Sequence, residues 1–270
     1  MSKITLTKES MEGSFIQYME KIFELPEIVS GCVKKTVITR GNLQDVGRRA
    51  FEAGFHDEFS DTDLTLTVRL PEDGSITSEE YLRRIDRFGV KEENALGWMF
   101  VPVNHVCRSV FRNGMRYDLR FEFVFEGDEA VDLGSYCFEN ENPDWPVENI
   151  SRFWFTEVQA LTKLYRKDHL ISSHLANMNC NDTLVMQMIM RDHEYSTNHH
   201  RYGHSEALEY VSELGKMPYA FDDPTAGRIA DHIYAAALAY DRLAVYFYPG
   251  YRARSEEFFA IWEAYESGRK

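Results

Sequence analysis

Apolar residues recur with one period in the first half of the chain and with another in the second, and this contrast constrains the fold most strongly. Apolar and polar residues alternate in Leu64–Leu70 and in Arg116–Phe125, and a period of two predicts strands with one buried face. Beyond residue 150, apolar residues recur at helical spacing and β-branched residues are few. The sequence therefore predicts an α/β first half followed by an all-helical second half.

Weaker signals complete the outline of the first half. Residues 10–28 and 77–86 have apolar positions close to helical spacing. Residues 35–39, 98–103 and 106–111 are short, apolar or β-branched, and are expected to form strands. The first half is thus expected to mix short helices with strands.

The polar, proline-containing stretch ENENPDWPVEN predicts a linker between the two halves. The boundary there gives domains of residues 1–148 and 149–270. Asn181 or Asp182 is expected to cap the second helix of the second domain. The helices expected in that domain are Phe153–Leu175, Thr183–Tyr195, Ser205–Leu214, Thr225–Tyr246 and Ser255–Tyr265.

The charge balance restricts the classes of partner. The chain has 270 residues, with 30 Lys and Arg against 44 Asp and Glu, so its formal net charge is −14. Proteins that bind duplex nucleic acid normally carry a basic surface, which disfavours nucleic acid as a partner. An acidic protein suits cationic small molecules, or metal ions that bridge it to a nucleotide. Solubility alone is the other interpretation of the charge.

The sequence predicts no membrane-spanning or secretory segment. No apolar run approaches the roughly 20 residues that span a bilayer, and the first residues lack the apolar core of a signal peptide. The four cysteines are scattered without a CxxC pair, which excludes a zinc ribbon. These features predict a cytoplasmic protein with free thiols and no membrane partner.

Asp61 and Asp63 are the first candidates for a functional site. They stand two residues apart at the start of the predicted strand at 64–70, and this spacing places both carboxylates on one face. Two like charges so close repel each other unless a cation lies between them. Hard oxygen ligands of this kind suit Mg²⁺, although a solvated acidic loop is the other interpretation of so short a motif.

A third carboxylate comes from the second alternating strand. Asp118, Arg120 and Glu122 share one of its faces, opposite a run of aromatic and leucine side chains. If the two strands are neighbours in a sheet, Asp118 or Glu122 can meet Asp61 and Asp63. Three convergent carboxylates are what a two-metal phosphoryl or nucleotidyl transfer site requires.

These residues carry a resemblance to a known family. The stretch GRRAFEAGFHDEFSDTDL at 47–64, with its run D-x-F-x-D-x-D at 57–63, resembles the signature of the aminoglycoside 6-adenylyltransferases, in the nucleotidyltransferase superfamily. Asp118, in NGMRYDLRFEF, resembles that family's third acidic strand. The Phe-Trp pair at 153–154, with the later LYRKD and YGH segments, is similar to the family's second domain. The resemblance therefore covers most of the chain.

The resemblance implies both a fold and a reaction. The fold is α+β: a nucleotidyltransferase-type mixed sheet flanked by helices, then a C-terminal helical bundle, with the active site in the cleft between them. The reaction transfers AMP from ATP, the co-substrate, to a hydroxyl of a streptomycin-like aminoglycoside and releases pyrophosphate. The resemblance places Mg²⁺ on Asp61, Asp63 and Asp118, with the same residues as the catalytic set.

The phosphate-binding turn departs from the family pattern. The family has Gly-Ser there, and the equivalent by spacing in this chain is Gly47-Arg48. Arg48 and Arg49 are candidate phosphate donors, although an exposed basic helix turn is the other interpretation. Gly41, directly after the predicted strand at 35–39, is the alternative turn.

Three residues of the helical half are further candidates for nucleotide binding. Lys163 and Arg166 either reach the triphosphate or form an ordinary exposed basic face. His204 is expected to contact nucleotide or substrate. The histidines around it do not predict a zinc site, because no cysteine accompanies them and the segment resembles a loop.

The leading hypothesis is a Mg²⁺-dependent adenylyltransferase acting on a cationic, aminoglycoside-like small molecule. One alternative is a catalytically degenerate binding protein of the same fold, which the missing serine motivates. The other alternative keeps the chemistry but changes the acceptor, for example to a lincosamide. The sequence leaves the acceptor and the oligomeric state open.

Overall fold

The computed structural model describes residues 3–55, 57–84, 88, 94–101, 105–127, 146–147, 149–196 and 217–268. This part of the chain is α+β, with a six-stranded mixed sheet and seven helices. The strands are β1 (Ile28–Val33), β2 (Thr36–Ile38), β3 (Thr62–Leu70), β4 (Ala95–Val101), β5 (Val106–Phe111) and β6 (Arg116–Phe125). The helices are α1 (Lys8–Ile22), α2 (Leu43–Gly54), α3 (Ser78–Leu82), α4 (Ile150–Tyr165), α5 (His169–Tyr195), α6 (Pro224–Phe247) and α7 (Ser255–Gly268).

The chain divides into two compact units. The first comprises residues 1–139 and 263–270, and the second comprises residues 140–262. The last residues of α7 therefore group with the sheet, where Tyr265 packs edge-on against Phe59 with ring centroids 5.0 Å apart. The predicted linker lies almost entirely outside the described residues.

The sheet has the strand order β2-β1-β3-β6-β5-β4. Its two central strands, β3 and β6, are parallel, and every other neighbouring pair is antiparallel. These central strands are the two segments whose period of two was strongest in the sequence, and both are confirmed as strands. The mixed sheet follows from this single parallel pairing.

The apolar face of the central strands forms the core of the first unit. Leu64, Leu66 and Val68 are fully buried, and so is Leu119 on the neighbouring strand. Tyr18 of α1 stacks on the same core, and its hydroxyl donates a hydrogen bond to the Phe88 carbonyl oxygen at 2.8 Å. Each large apolar side chain buried in this way contributes about 1.5–3 kcal/mol, so the core holds the polar face of the sheet in a fixed register.

Gly47 lies inside α2, so the expected turn at this residue is wrong. A Cβ atom at Gly47 would lie 2.6 Å from Ile16 Cδ1 and 2.9 Å from Leu43 Cδ1. The missing side chain therefore lets α1 and α2 approach closely. Packing between the two helices, which a single sequence does not reveal, explains the glycine.

The regular elements that the structure describes in the second half are all helices, but they divide differently from the prediction. The break lies at Arg166–Asp168, where Lys167 has a φ of 60° and the Asp168 side chain accepts from the Ile171 amide. From there α5 continues without interruption to Tyr195. The expected cap at residues 181–182 is therefore wrong, and the expected helix at 205–214 lies outside the described residues.

Asp241, on α6, organises the polar interior of the second unit. It is buried and accepts hydrogen bonds from the Tyr251 hydroxyl at 2.6 Å, the Arg254 amide at 3.0 Å and the Ser255 amide at 2.8 Å. Tyr251 in turn accepts from the indole of Trp154 at 2.9 Å. A single carboxylate thus fixes the segment that precedes α7 and caps the start of that helix.

In the described part of the chain, no helix is both long enough and apolar enough to cross a membrane. Cys32, Cys107 and Cys180 are free thiols, as expected, and Cys107 is buried. Cys137 lies outside the described residues.

Asp241→Ala is expected to lower the free energy of unfolding by about 3 kcal/mol, because three buried donors lose their acceptor. Chemical denaturation of the variant and the wild type measures this difference. Asp231→Ala is the matched control, since Asp231 is exposed on the same helix and should change stability by less than about 0.5 kcal/mol. Equal losses in the two variants would contradict the anchoring role of Asp241.

Candidate functional site

One row of charged residues crosses the polar face of the sheet. In the register of the strands, Asp63 on β3 lies opposite Asp118 on β6, and Asp118 lies opposite Arg108 on β5. The parallel pairing of β3 with β6 therefore places two carboxylates side by side on neighbouring strands. Directly opposed like charges destabilise a sheet, so this row requires compensation.

Asp61 joins the row from the loop that precedes β3. Arg116 is buried, donates to the Phe59 carbonyl oxygen at 3.0 Å and lies 3.5 Å from Asp61 Oδ2. Asp57 braces the same loop by accepting from the Phe59 amide at 3.0 Å and from the Ser60 hydroxyl at 2.8 Å. The loop is thus fixed at both ends. We call Asp61, Asp63 and Asp118 the acidic triad.

Each carboxylate of the acidic triad pairs with an arginine. Arg108 Nε lies 3.2 Å from Asp118 Oδ2, and Arg120 Nη2 lies 3.9 Å from Asp63 Oδ1, while Arg116 pairs with Asp61. Sequence reasoning assigned no role to these arginines. A signal existed for two of them, because Arg116 and Arg120 alternate with Asp118 on one strand face. The sequence contains no such signal for Arg108, because its place beside Asp118 depends on which strands pair.

The carboxyl group of Asp118 is largely buried and has a raised pKa. The pKa of its carboxyl is raised from 3.8 to about 6, mainly by burial and then by repulsion from Asp61 and Asp63, while Arg108 and Arg116 oppose the rise. The raised pKa therefore reflects mainly the removal of this carboxyl group from water, which the neighbouring arginines offset only in part. Such perturbed groups are typical of functional sites.

The structure brings Asp118, and not Glu122, to the other two acids. Glu122 lies opposite Thr67, four residues further along the parallel pair than Asp118 opposite Asp63. Four residues of strand span about 13 Å. The sequence left open whether Asp118 or Glu122 meets the other two acids. The strand register shows that Asp118 lies next to them.

The acidic triad supplies suitable donor atoms for a divalent cation but does not present them in a ready-made arrangement. Carboxylate oxygens are the ligands that Mg²⁺ prefers. Among the described residues, however, no three Asp, Glu, His or Cys side chains are already grouped so as to hold a metal ion together. The donor chemistry fits Mg²⁺, while the arginines engage the carboxylates in the structure.

The predicted nucleotide-binding residues of α2 lie away from the acidic triad. Arg48 pairs with Glu12 of α1 at 2.6 Å, and Arg49 is exposed on the same helix as Gly47. Gly41 does lie in a turn, between β2 and α2. β2 and β3 run in the same direction, since both are antiparallel to β1, so Gly41 follows the end of β2 that is remote from the acids.

The remaining predicted nucleotide-binding residues belong to the second half. Lys163 is half-buried on α4, and Arg166 is exposed at the C-terminal cap of that helix. His204 lies outside the described residues. Contact of these three residues with nucleotide stays a prediction.

A lysine pair that sequence reasoning missed lies at the same end of the sheet as the acids. Val33 pairs with Thr36, so Lys34 and Lys35 form a two-residue hairpin loop. Cys32 pairs with Thr65, so this loop lies where β3 begins. Both lysines have positive φ, 43° and 73°, as a type I′ turn requires, although Asn-Gly is the sequence such turns favour.

Comparisons with known proteins leave the family open. The chain matches no protein-family model, and a search of curated proteins finds no match.

Asp118→Asn is expected to stabilise the protein above pH 6 by about 1–3 kcal/mol relative to wild type. Because the folded-state pKa of Asp118 is raised, this group's favourable contribution is fully present below its ordinary pKa and is lost as the pH rises through about 6. The variant lacks that loss. Denaturant unfolding at pH 4.5 and pH 8 measures the difference.

Glu122→Gln is the matched control for this titration, because Glu122 is an exposed acid on the same face of β6. It removes one exposed negative charge and should change stability by less than about 0.5 kcal/mol. A variant Asp118→Asn that is less stable than wild type by the same amount at both pH values would contradict the raised pKa, and would make the Arg108 pair the dominant interaction.

Proposed function

We propose that the protein is a Mg²⁺-dependent nucleotidyltransferase that transfers AMP from ATP to a hydroxyl of an aminoglycoside-like small molecule and releases pyrophosphate. One observation carries the proposal: Asp63 and Asp118 lie opposite each other on neighbouring parallel strands, with Asp61 beside them. Nucleotidyl transfer needs convergent carboxylates to bind the metal–nucleotide complex. The resemblance of the acidic motif to the aminoglycoside 6-adenylyltransferases supplies the reaction class.

The residues of the acidic triad are the proposed holders of Mg²⁺. When bound, the metal would neutralise charge on the triphosphate and lower the pKa of the attacking hydroxyl. Arg116 keeps Asp61 in place through its bond to the Phe59 carbonyl oxygen. Asp118 would either complete the metal site or act as the general base that accepts the proton of the acceptor hydroxyl.

The Lys34-Lys35 hairpin is the proposed contact to the triphosphate. Two adjacent like charges in a left-handed turn cost free energy that an Asn-Gly turn would avoid. Positive charge at the end of the sheet where β3 begins supports binding of phosphate beside the acidic triad. We assign to this hairpin the phosphate contact that the Gly-Ser serine makes in the family.

The acceptor is proposed from charge and resemblance together. A formal net charge of −14 attracts polycationic molecules such as aminoglycosides. A lincosamide or another small hydroxyl compound would use the same chemistry at the acidic triad.

A second candidate function is a binding protein without catalysis. The specific observation in its favour is that an arginine already engages each carboxylate of the acidic triad. Such a protein would bind a nucleotide without releasing pyrophosphate from it.

Pyrophosphate release from ATP with Mg²⁺, with and without an acceptor panel led by streptomycin, tests the proposal. Asp61→Asn and Asp63→Asn are expected to lower turnover at least about 100-fold, because the charge that holds the metal–nucleotide complex is lost. Glu122→Gln should retain turnover. Release that Asp63→Asn leaves intact would overturn the assignment, and no release with any nucleotide would favour the binding protein.

Replacing Lys34-Lys35 by Asn-Gly is expected to raise stability and lower nucleotide affinity. The new turn relieves two left-handed lysines, a gain of about 1 kcal/mol or more, and it removes two positive charges from the phosphate contact. Chemical denaturation measures the first effect, and calorimetric titration with MgATP measures the second.

The charge-preserving pair Lys34→Arg and Lys35→Arg is the control for the hairpin, and it should retain MgATP affinity. Unchanged MgATP affinity in the Asn-Gly variant would show that the lysines do not contact phosphate.

A further inference from the structure

We propose that Arg120 is a tethered counter-ion of the acidic triad that exchanges partners when substrate binds. In the structure it pairs with Asp63. When a divalent cation and a nucleoside triphosphate bind, Asp63 would hold the cation and Arg120 would turn to the phosphates. Cation and nucleotide would then bind cooperatively, and the cation alone would bind poorly. This inference rests on the proposed function and adds an order of binding to it.

The three arginine pairs differ in how readily they can open. The Arg116 side chain is only 6 % exposed, and it also donates to the Phe59 carbonyl oxygen. Arg108 pairs with the largely buried Asp118. The Arg120–Asp63 pair is the longest of the three at 3.9 Å, and its side chains are 59 % and 63 % exposed.

Exposure makes the Arg120 pair the weak one. Ion pairs in contact with water contribute little to stability, because solvent screens the charges and the side chains lose conformational freedom. Opening this pair therefore costs little, whereas opening the Arg116 pair would also leave the Phe59 carbonyl oxygen without that donor. Arg116 is expected to stay in place while Arg120 moves.

Phosphate gives the displaced arginine a better partner than water does. A guanidinium group binds phosphate oxygens through two parallel N–H donors. If the cation came alone, Arg120 would stay beside it as an unpaired like charge and would oppose its binding. Because binding linkage is reciprocal, a triphosphate that engages Arg120 strengthens cation binding by the same factor by which the cation strengthens nucleotide binding.

The sheet contains a matched control pair. Arg69 Nε on β3 lies 3.5 Å from Glu126 Oε2, directly after β6, and the two side chains are 41 % and 65 % exposed. This pair joins the same two strands at their far end, remote from the acidic triad. Arg69→Ala therefore removes one exposed arginine and the same charge without altering the triad.

The test measures binding of Mn²⁺ by electron paramagnetic resonance, alone and with the non-hydrolysable analogue α,β-methylene-ATP. Arg120→Ala is expected to bind Mn²⁺ alone about three- to fivefold more tightly than wild type, since a competing charge of modest strength is removed. The factor by which the analogue tightens Mn²⁺ binding should fall correspondingly. Arg69→Ala should match wild type in both measurements.

The outcomes separate this inference from the proposed function. If wild type binds Mn²⁺ with the analogue and Asp63→Asn does not, but Arg120→Ala shows wild-type affinity and coupling, the exchange is wrong and the metal–nucleotide site stands. If wild type binds no Mn²⁺ with or without the analogue, the proposed function fails. Tighter Mn²⁺ binding in both Arg120→Ala and Arg69→Ala would show that the effect comes from net charge alone. That result would overturn the specific role of Arg120.

Discussion

The parallel pairing of β3 with β6 is the interaction on which the candidate site depends. It sets Asp63 against Asp118. The pKa of Asp118 is raised mainly by burial, then by repulsion from Asp61 and to a smaller extent from Asp63, and Arg108 and Arg116 oppose this rise. The buried apolar faces of the same strands hold the pair in register, because a slip by one residue would turn the core side chains toward water. Stability on one face of the sheet thus enforces an unfavourable arrangement of charges on the other.

Three arginines offset part of the negative charge of these carboxylates, but the carboxylates still lie close together. Arg116 is buried and is part of the architecture of the loop before β3, whereas Arg120 is exposed and paired at a longer distance. The site therefore combines one arginine that is buried and held in place with another that is exposed and weakly paired. This combination supports the proposal that cation and phosphate bind together at the acidic triad. The lysine hairpin lies at the same end of the sheet, and its backbone also adopts an unfavourable local conformation.

Much of the fold was predictable from residue spacing. The period of two correctly placed β3 and β6, assigned Asp118 to the same face as Arg120, and opposed that face to the aromatic core. The mixture of helices and strands in the first half and the helical character of the described second half also followed from spacing, whereas the α+β class was what the family resemblance implied. The two failures have different causes. Gly47 was expected in a turn but lies in α2, because contacts with α1 decide its environment. The helix break was expected near Asp182 but lies at Lys167, because the left-handed backbone there leaves no clear mark in the sequence.

The sequence by itself determined which side chains share a strand face, since that depends only on the alternation of neighbouring residues along one chain segment. It therefore supplied the three aspartates as candidates. Only the tertiary structure decided that β3 and β6 are neighbours, that Asp63 meets Asp118 while Glu122 meets Thr67, and that Arg108 arrives from β5. Strand order and register depend on contacts between segments far apart in the chain, and these are selected by the burial of the whole core. For the same reason the Lys34-Lys35 turn could be recognised as a neighbour of the acids only after the sheet had placed both at one end.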